Sequence, residues 1–396
     1  MTPPSERIFR PSFVRLVCVQ PLAGLAICTF FLLPKFLVTE LRATPFDVGV
    51  VSAAFGVGGA LAVPILGAAL DRFSPRRLVL ASCWVLAIAA AGFVWVDRIG
   101  PLVFALRVAQ GLGWAALFTA GMLLTIDISP PSRLAQAIGY YGVANLAMNA
   151  VAPAIGEIIA ERAGWKPVFA FAAVTGVLAW LVGRGLPEER PKSAKAVDMW
   201  SLLSRPRTIA MVTVVSIWGG AFGAMFIFHQ PFALSLGMTK VRGFFIAYTA
   251  TAMFARIGIG NAVDRIGRYA VAVASFTLYA AVVFAMQWLR PGWLEPFGAG
   301  LGLAHGLFFP AYFALIVERA GREEQGKLMA LSNAAYNVGL AVSSLVLGGI
   351  AERSGFPDAY RWAGGATLFG VALLSLTARP KVHSLPCPNL SSSREP

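Results

Sequence analysis

Charge is what this sequence has least of. Asp, Glu, Lys and Arg make up 13% of its 396 residues, and histidine occurs three times. An ordinary soluble domain carries about 25% charged residues, so a soluble enzyme is excluded. Cysteine is scarce as well: Cys18, Cys28 and Cys83 lie inside apolar runs and Cys387 stands near the C-terminal end. Their spacing fits neither a disulfide framework nor a metal site. There is no HExxH motif and no Ser-centred elbow. Two glycine-rich stretches mimic nucleotide loops but fail in context: Leu328 follows Gly326-Lys327 where Ser or Thr is needed, and Gly111-x-Gly113-x-x-Ala116 lies inside an apolar run. We therefore expect no cofactor, no metal, no nucleotide and no nucleic acid.

What is abundant is apolar surface. Hydrophobic residues reach 57%, mean hydropathy is +0.70, and the +14 net charge collects in short stretches between apolar runs. About 20 apolar residues cross a bilayer as a helix. Runs of that kind extend from Val14 to Val38, Val48 to Leu70, Leu78 to Val96, Leu102 to Ile126, Leu134 to Ile159 and Val168 to Val182. A second set covers Ile209 to Leu236, Phe244 to Val263, Ala270 to Trp288, Phe297 to Val317, Leu328 to Ile350 and Trp362 to Leu376. Arg7 and Arg10 precede the first run, and Arg15 stands at its start, as in a signal peptide, but equivalent runs follow it, so it reads as the first crossing.

The two sets repeat each other. Gly67-x-x-x-Asp71-Arg72 recurs as Gly260-x-x-x-Asp264-Arg265, and Ala160-Glu161-Arg162-Ala163-Gly164 recurs at nearly the same offset as Ala351-Glu352-Arg353-Ser354-Gly355. The expected organisation is an all-α integral membrane protein of twelve transmembrane helices in two pseudo-symmetric bundles of six. Residues 1–183 form the first bundle, 184–207 a cytoplasmic linker, 208–378 the second bundle and 379–396 a cytoplasmic tail. Placing both termini in the cytoplasm puts the larger share of Lys and Arg on the inner side, as a plasma membrane requires, with a bacterial inner membrane the natural setting.

Lipid cannot satisfy polar side chains, so those inside the runs must face one another or a hydrated cavity. Tyr141, Asn145 and Asn149 share one helix face, and Asn333 and Asn337, with Tyr336 adjacent, repeat the spacing in the second half. Such stripes line a cavity or, equally, hold helices together. Arg107, Gln110 and Arg256 are basic or amide groups at membrane depth. By depth Glu157 is a partner for Arg107, whereas Arg256 is left for a substrate anion, a backbone carbonyl or Asp264. Titratable candidates for proton coupling are Glu157, His229 and His305, and Trp218 is a candidate wall for an amphipathic substrate.

These residues resemble the major facilitator superfamily over almost the whole chain. Gly260, Asp264, Arg265, Gly267 and Arg268 match its loop signature; Gly67, Asp71, Arg72 and Arg76 match the first copy, where Ser74 and Pro75 replace the usual Gly and Arg. Arg107-x-x-Gln110-Gly111 is similar to its fourth-helix signature. Its antiporter motif is met in part by Gly139, Pro153 and Gly156, with Met148, Ala152 and Glu157 at usual glycine positions. The resemblance implies a secondary transporter that rocks two halves about a central site, with the loop Asp residues as a conformational latch or, more simply, the basic residues as a positive-inside anchor. The implied activity is export of a small amphipathic or anionic organic molecule by proton antiport, in a monomer surrounded by lipid and powered by the proton gradient. An uptake permease or facilitator for an organic anion is the alternative within the class, and a non-transporting sensor or scaffold the alternative outside it.

Overall fold

The computed structural model describes residues 8–188, 202, 204–258, 266–319 and 324–377. Each apolar run falls on one long helix. The first is α1 (Pro11–Cys28), which continues through a 3-10 turn, Thr29–Leu32, into α2 (Leu33–Leu41). Pro34 in the first turn of α2 has no N–H to return to the preceding turn, and the backbone tightens there. The chain then forms α3 (Pro45–Arg72), α4 (Pro75–Gly92), α5 (Pro101–Ile128), α6 (Leu134–Ala163) and α7 (Trp165–Gly183). After the linker come α8 (Pro206–Ser235), α9 (Arg242–Gly258), α10 (Arg268–Ala285), α11 (Leu294–Arg319), α12 (Gln325–Ser354) and α13 (Phe356–Thr377).

Among the described residues 10 helices, with α1 and α2 counted as one, are long and apolar enough to cross a membrane. The sequence leads one to expect twelve. Helix α9 falls short at 17 residues, its description ending at Gly258, and α13 opens with Pro357, Asp358 and Arg361.

Start signals are written into the sequence. Thr44 and Asp47 form a reciprocal capping box at α3, with Asp47 N donating to Thr44 Oγ1 at 3.2 Å and Thr44 N to Asp47 Oδ2 at 3.0 Å. Ser74 accepts from Arg77 N at 3.4 Å and Pro75 opens α4, so the departure from the loop signature is a helix cap. Gly267, kept in the second copy, stands at φ 99°, a left-handed backbone that glycine adopts without strain.

Packing follows a pattern that recurs after six helices. Contacts α1 with α6 and α7, α3 with α5, and α4 with α5 and α7 correspond to α8 with α12 and α13, α9 with α11, and α10 with α11 and α13. Two further pairings, α3 with α12 and α6 with α9, join the first set to the second. Glycine permits the closest crossings: a Cβ on Gly339 of α12 would collide with the Ser216 carbonyl of α8, and one on Gly219 of α8 with the Tyr336 carbonyl. At Gly139 and Gly67, towards the ends of α6 and α3 opposite Glu157, a Cβ would meet nothing within 4 Å.

Gly339→Ala is therefore expected to lower the thermal unfolding midpoint of the detergent-purified protein, overpacking of this kind costing about 1–3 kcal/mol. Gly139→Ala removes only backbone freedom and should hold or raise the midpoint, by up to about 1 kcal/mol. Equal midpoints for the two variants would contradict the crossing geometry.

Candidate functional site

The most completely satisfied buried charge is Glu157, fully buried in the last two turns of α6. It accepts from Lys35 Nζ at 2.6 Å, from Val241 N at 2.9 Å and from Arg242 N at 2.9 Å. Lys35 also donates to the Thr239 carbonyl. One carboxylate thus ties α2 and α6 to the start of α9, where free N–H groups and the positive helix pole receive it. One turn on, Glu161 accepts twice from Arg242, at 2.9 and 3.0 Å. The repeated residue Glu352, at the end of α12, does equivalent work across the other pairing: it accepts from Thr44 Oγ1 at 2.8 Å and Phe46 N at 3.0 Å at the start of α3. Arg107, expected from its depth to pair with Glu157, does not. Its guanidinium donates to Gln110 Oε1 at 2.8 Å and lies 4.7 Å over the ring of Phe55. Depth along a helix does not fix which neighbour a side chain faces, and Lys35, a cation near the far end of the first apolar run, was the partner that depth alone overlooked.

The amide stripes take part in contacts between helices. Gln20 Nε2 donates to Asn145 Oδ1 at 3.0 Å, and Cys28 Sγ lies 3.5 Å from Asn149 Oδ1, so both asparagines face α1. Tyr141 is buried against Gly121, its hydroxyl without a partner. Asn337 Nδ2 donates within its own helix to the Asn333 carbonyl at 2.9 Å and Oδ1 at 3.0 Å, and the residue packs beside Gly56 and Gly59 of α3.

A second cluster occupies α8 to α12 and centres on His305, 7% exposed. Its ring lies 5.2 Å from Trp218, 5.7 Å from Phe222 and Tyr248, 6.2 Å from Tyr279 and 6.4 Å from Phe309. Tyr336 packs on Trp218 at 4.8 Å. Arg256 lies 5.1 Å over Phe309 and makes no ion pair among the described residues. Trp218 Nε1, Tyr248 Oη, Tyr279 Oη, His305 Nδ1 and Arg256 Nε are buried without hydrogen-bond partners. Buried polar atoms are almost always paired, so this concentration makes the cluster a candidate site. Tyr248 and Tyr279 gave no sequence signal of their own, since single tyrosines in apolar runs are ordinary. His229 is separate: Nδ1 faces the Met225 carbonyl and the ring stacks 4.0 Å from Phe244.

Of the loop signatures, Gly260, Asp264 and Arg265 lie outside the described residues, as do the side chain of Asp71, most of the linker and the tail. Arg72 is exposed in the last turn of α3. Arg76 donates to Glu188 at 3.2 Å and to the Arg184 carbonyl at 2.8 Å, and Arg268 pairs with Glu318. Cavities of about 460 Å³ beside Trp362 and Phe369 and about 230 Å³ beside Glu40 and Lys166 contain none of the candidate residues. The first is an open groove along α13, the kind of surface acyl chains cover. Among the described residues no group of three or more His, Cys, Asp or Glu is arranged to hold a metal.

A family model described as Major Facilitator Superfamily matches residues 22–294 and 243–389. The chain is 23% identical over 348 residues to an uncharacterized MFS-type transporter, YtbD, of Bacillus subtilis, covering 83% of this chain and 85% of that one. It is 23% identical to the multidrug resistance protein MdtG of Dickeya zeae, covering 78% of each. It is 24% identical to the purine ribonucleoside efflux pump NepI of Shigella sonnei, covering 70% of each. The crystal structure of the human organic anion transporter MFSD10 (TETRAN) superposes with a TM-score of 0.70 at 16% identity, covering 94% of this chain and 100% of that one, a likeness of fold.

Glu157→Leu strands the Lys35 ammonium and two backbone N–H groups, and is expected to cost about 3–5 kcal/mol, the range for removing one partner of a buried pair. Glu157→Gln keeps an acceptor oxygen and should cost less. Thermal unfolding in detergent checks the order; a Glu157→Leu midpoint equal to that of the unsubstituted protein would remove the carboxylate from its structural role.

Proposed function

The chain belongs to the Major Facilitator Superfamily, a multi-pass membrane transporter and not an enzyme, and from that premise we propose that it exports a small amphipathic or anionic organic molecule in exchange for protons. Residues 1–183 and 208–378 act as two six-helix halves joined by the cytoplasmic linker 184–207, with the tail 379–396 also cytoplasmic. The halves rock about a central site near the bilayer midplane. The protein works as a monomer without a cofactor, and the proton gradient supplies the energy.

The observation that carries this reading is the unequal fastening of the seam between the halves. At the end bearing Glu157, Glu161 and Glu352, carboxylates of α6 and α12 grip the starts of α9 and α3. Towards the opposite ends of α6 and α3, the surroundings of Gly139 and Gly67 are open. With both termini in the cytoplasm, the fastened end is the outer one, and the conformation is open inward. Release of the fasteners while the inner ends meet gives the alternate state. The recurrence of the contact pattern after six helices supports the division into halves. Export is supported by the names of MdtG and NepI, and an anionic cargo by the surplus of cations inside the helices, Arg107 buried and Arg256 half-buried, over acids that have no other partner.

Because Glu157 is engaged by Lys35 and by backbone N–H groups, it serves as a fastener, and His305 and His229 are the interior groups available to exchange a proton. Arg256 is the cation that meets the anionic cargo.

Everted membrane vesicles test the reading. Accumulation of a fluorescent organic anion is expected when the vesicle interior is acidified, with loss of at least 90% of that accumulation in Arg256→Ala at equal membrane abundance; pH-independent equilibration would instead identify a facilitator, and undiminished accumulation by the variant would release Arg256 from the site.

A further inference from the structure

The cluster around His305 has a chemistry more specific than apolar walls. Trp218 Nε1 and Arg256 Nε are donors only, and the hydroxyls of Tyr248 and Tyr279 also carry donor hydrogens. These atoms are buried, and although the Trp218 indole lies beside the Tyr279 hydroxyl, none has a partner at full hydrogen-bonding geometry. Donor hydrogens outnumber acceptors here, since only the tyrosine oxygens and a His305 ring nitrogen accept, and the group that completes the arrangement is rich in acceptors. The rings of Trp218, Tyr248, Tyr279 and Phe309 around His305, at centroid separations of 5.2 to 6.4 Å, favour flat apolar surface between them. The guanidinium of Arg256 above Phe309 adds a positive charge with no carboxylate of the described chain to neutralise it.

We propose that this cluster is a binding site for a planar aromatic carboxylate, whose carboxylate oxygens accept from Trp218, Tyr248, Tyr279 and Arg256 and whose ring lies among the aromatic side chains. The site rests on the transporter reading for its place in a transport cycle, though its occupancy is measurable without transport. Phe222, Phe309 and Tyr336 are half-buried while His305, Trp218, Tyr248 and Tyr279 are buried. The half-buried rings are the movable members: the cluster is closed on itself, and a ligand enters as they swing aside. A saturated ring of the same charge loses the stacking, and a neutral aromatic alcohol loses the pairing with Arg256.

The test is equilibrium binding to the purified full-length protein in nanodiscs, read by tryptophan fluorescence and by thermal shift. The probes are 2-naphthoate, decahydro-2-naphthoate and 2-naphthalenemethanol. The expected result is binding of 2-naphthoate at least about tenfold tighter than either control. Trp218→Phe and Tyr279→Phe each keep a ring and remove one donor, and should each weaken binding about tenfold, the scale of a hydrogen bond to a charged group. Trp293→Phe, exposed and outside the cluster, should leave binding unchanged. Tyr248→Phe provides an independent third donor deletion should either variant fail to fold. Equal binding of the three probes, or 2-naphthoate binding indifferent to all three donor deletions, would overturn the site and leave the donors to buried water. Flux of other organic anions in vesicles without 2-naphthoate binding sinks the site alone. Binding without any flux upholds the site and sinks the transporter reading on which its cycle rests.

Discussion

A polar group inside hydrocarbon must find its partner within the protein, and the structure is organised by how that demand is met. Where it is met fully, the result is a fastener. The buried Glu157 has a cation and two backbone N–H groups; Glu352, exposed at the end of its helix, has a hydroxyl and a backbone N–H. Both lie near the end of their own helix, where a negative charge is disfavoured by the local dipole, and both are stabilised by the start of a helix from the other set. A carboxylate placed this way favours association over separation of the two sets, because separation removes the backbone N–H groups of the other set, leaving Glu157 only Lys35 of its own set.

Around His305 the demand is unmet, and that is where the proposed site lies. The unpaired donors around His305 stand in the same sequence as the fully satisfied Glu157, so the contrast reflects a division of labour between elements. α6 and α12 carry the carboxylates that close one end of the seam, and α8 to α11 carry the aromatic and donor groups that hold something other than protein. The transporter reading joins the two: a carrier needs an end that seals and a centre that is incomplete without its cargo.

Much of this was legible before any coordinates. The apolar runs locate the helices because exclusion of charge over about 20 residues is a one-dimensional property, and the repeat of Ala160-Glu161-Arg162 as Ala351-Glu352-Arg353 announces a duplicated end. The role of that repeat was not legible, since it depends on the starts of α9 and α3 being brought beside it. The partner of Glu157 was hidden for the same reason: Lys35 is 122 residues away in the chain, and sequence gives depth along a helix but not the neighbour it faces. Ser74 shows the converse. It reads as a lapse in the loop signature, and in three dimensions it caps α4, so the turn is kept by different chemistry. The Asn145 and Asn149 stripe was visible, but its engagement with Gln20 and Cys28 of α1 needed the azimuth of α6.

The central claim is that the two helix sets close at one end while opening at the other. Electron-electron distance measurements between paired spin labels test it most directly, with one pair at Arg42 and Arg353 near the fastened end and one at Phe73 and Met329 near the other, all exposed positions. In transport-competent protein reconstituted in lipid, a rocking carrier lengthens the first distance as it shortens the second. Two distances that stay fixed, or that rise and fall together, would contradict it.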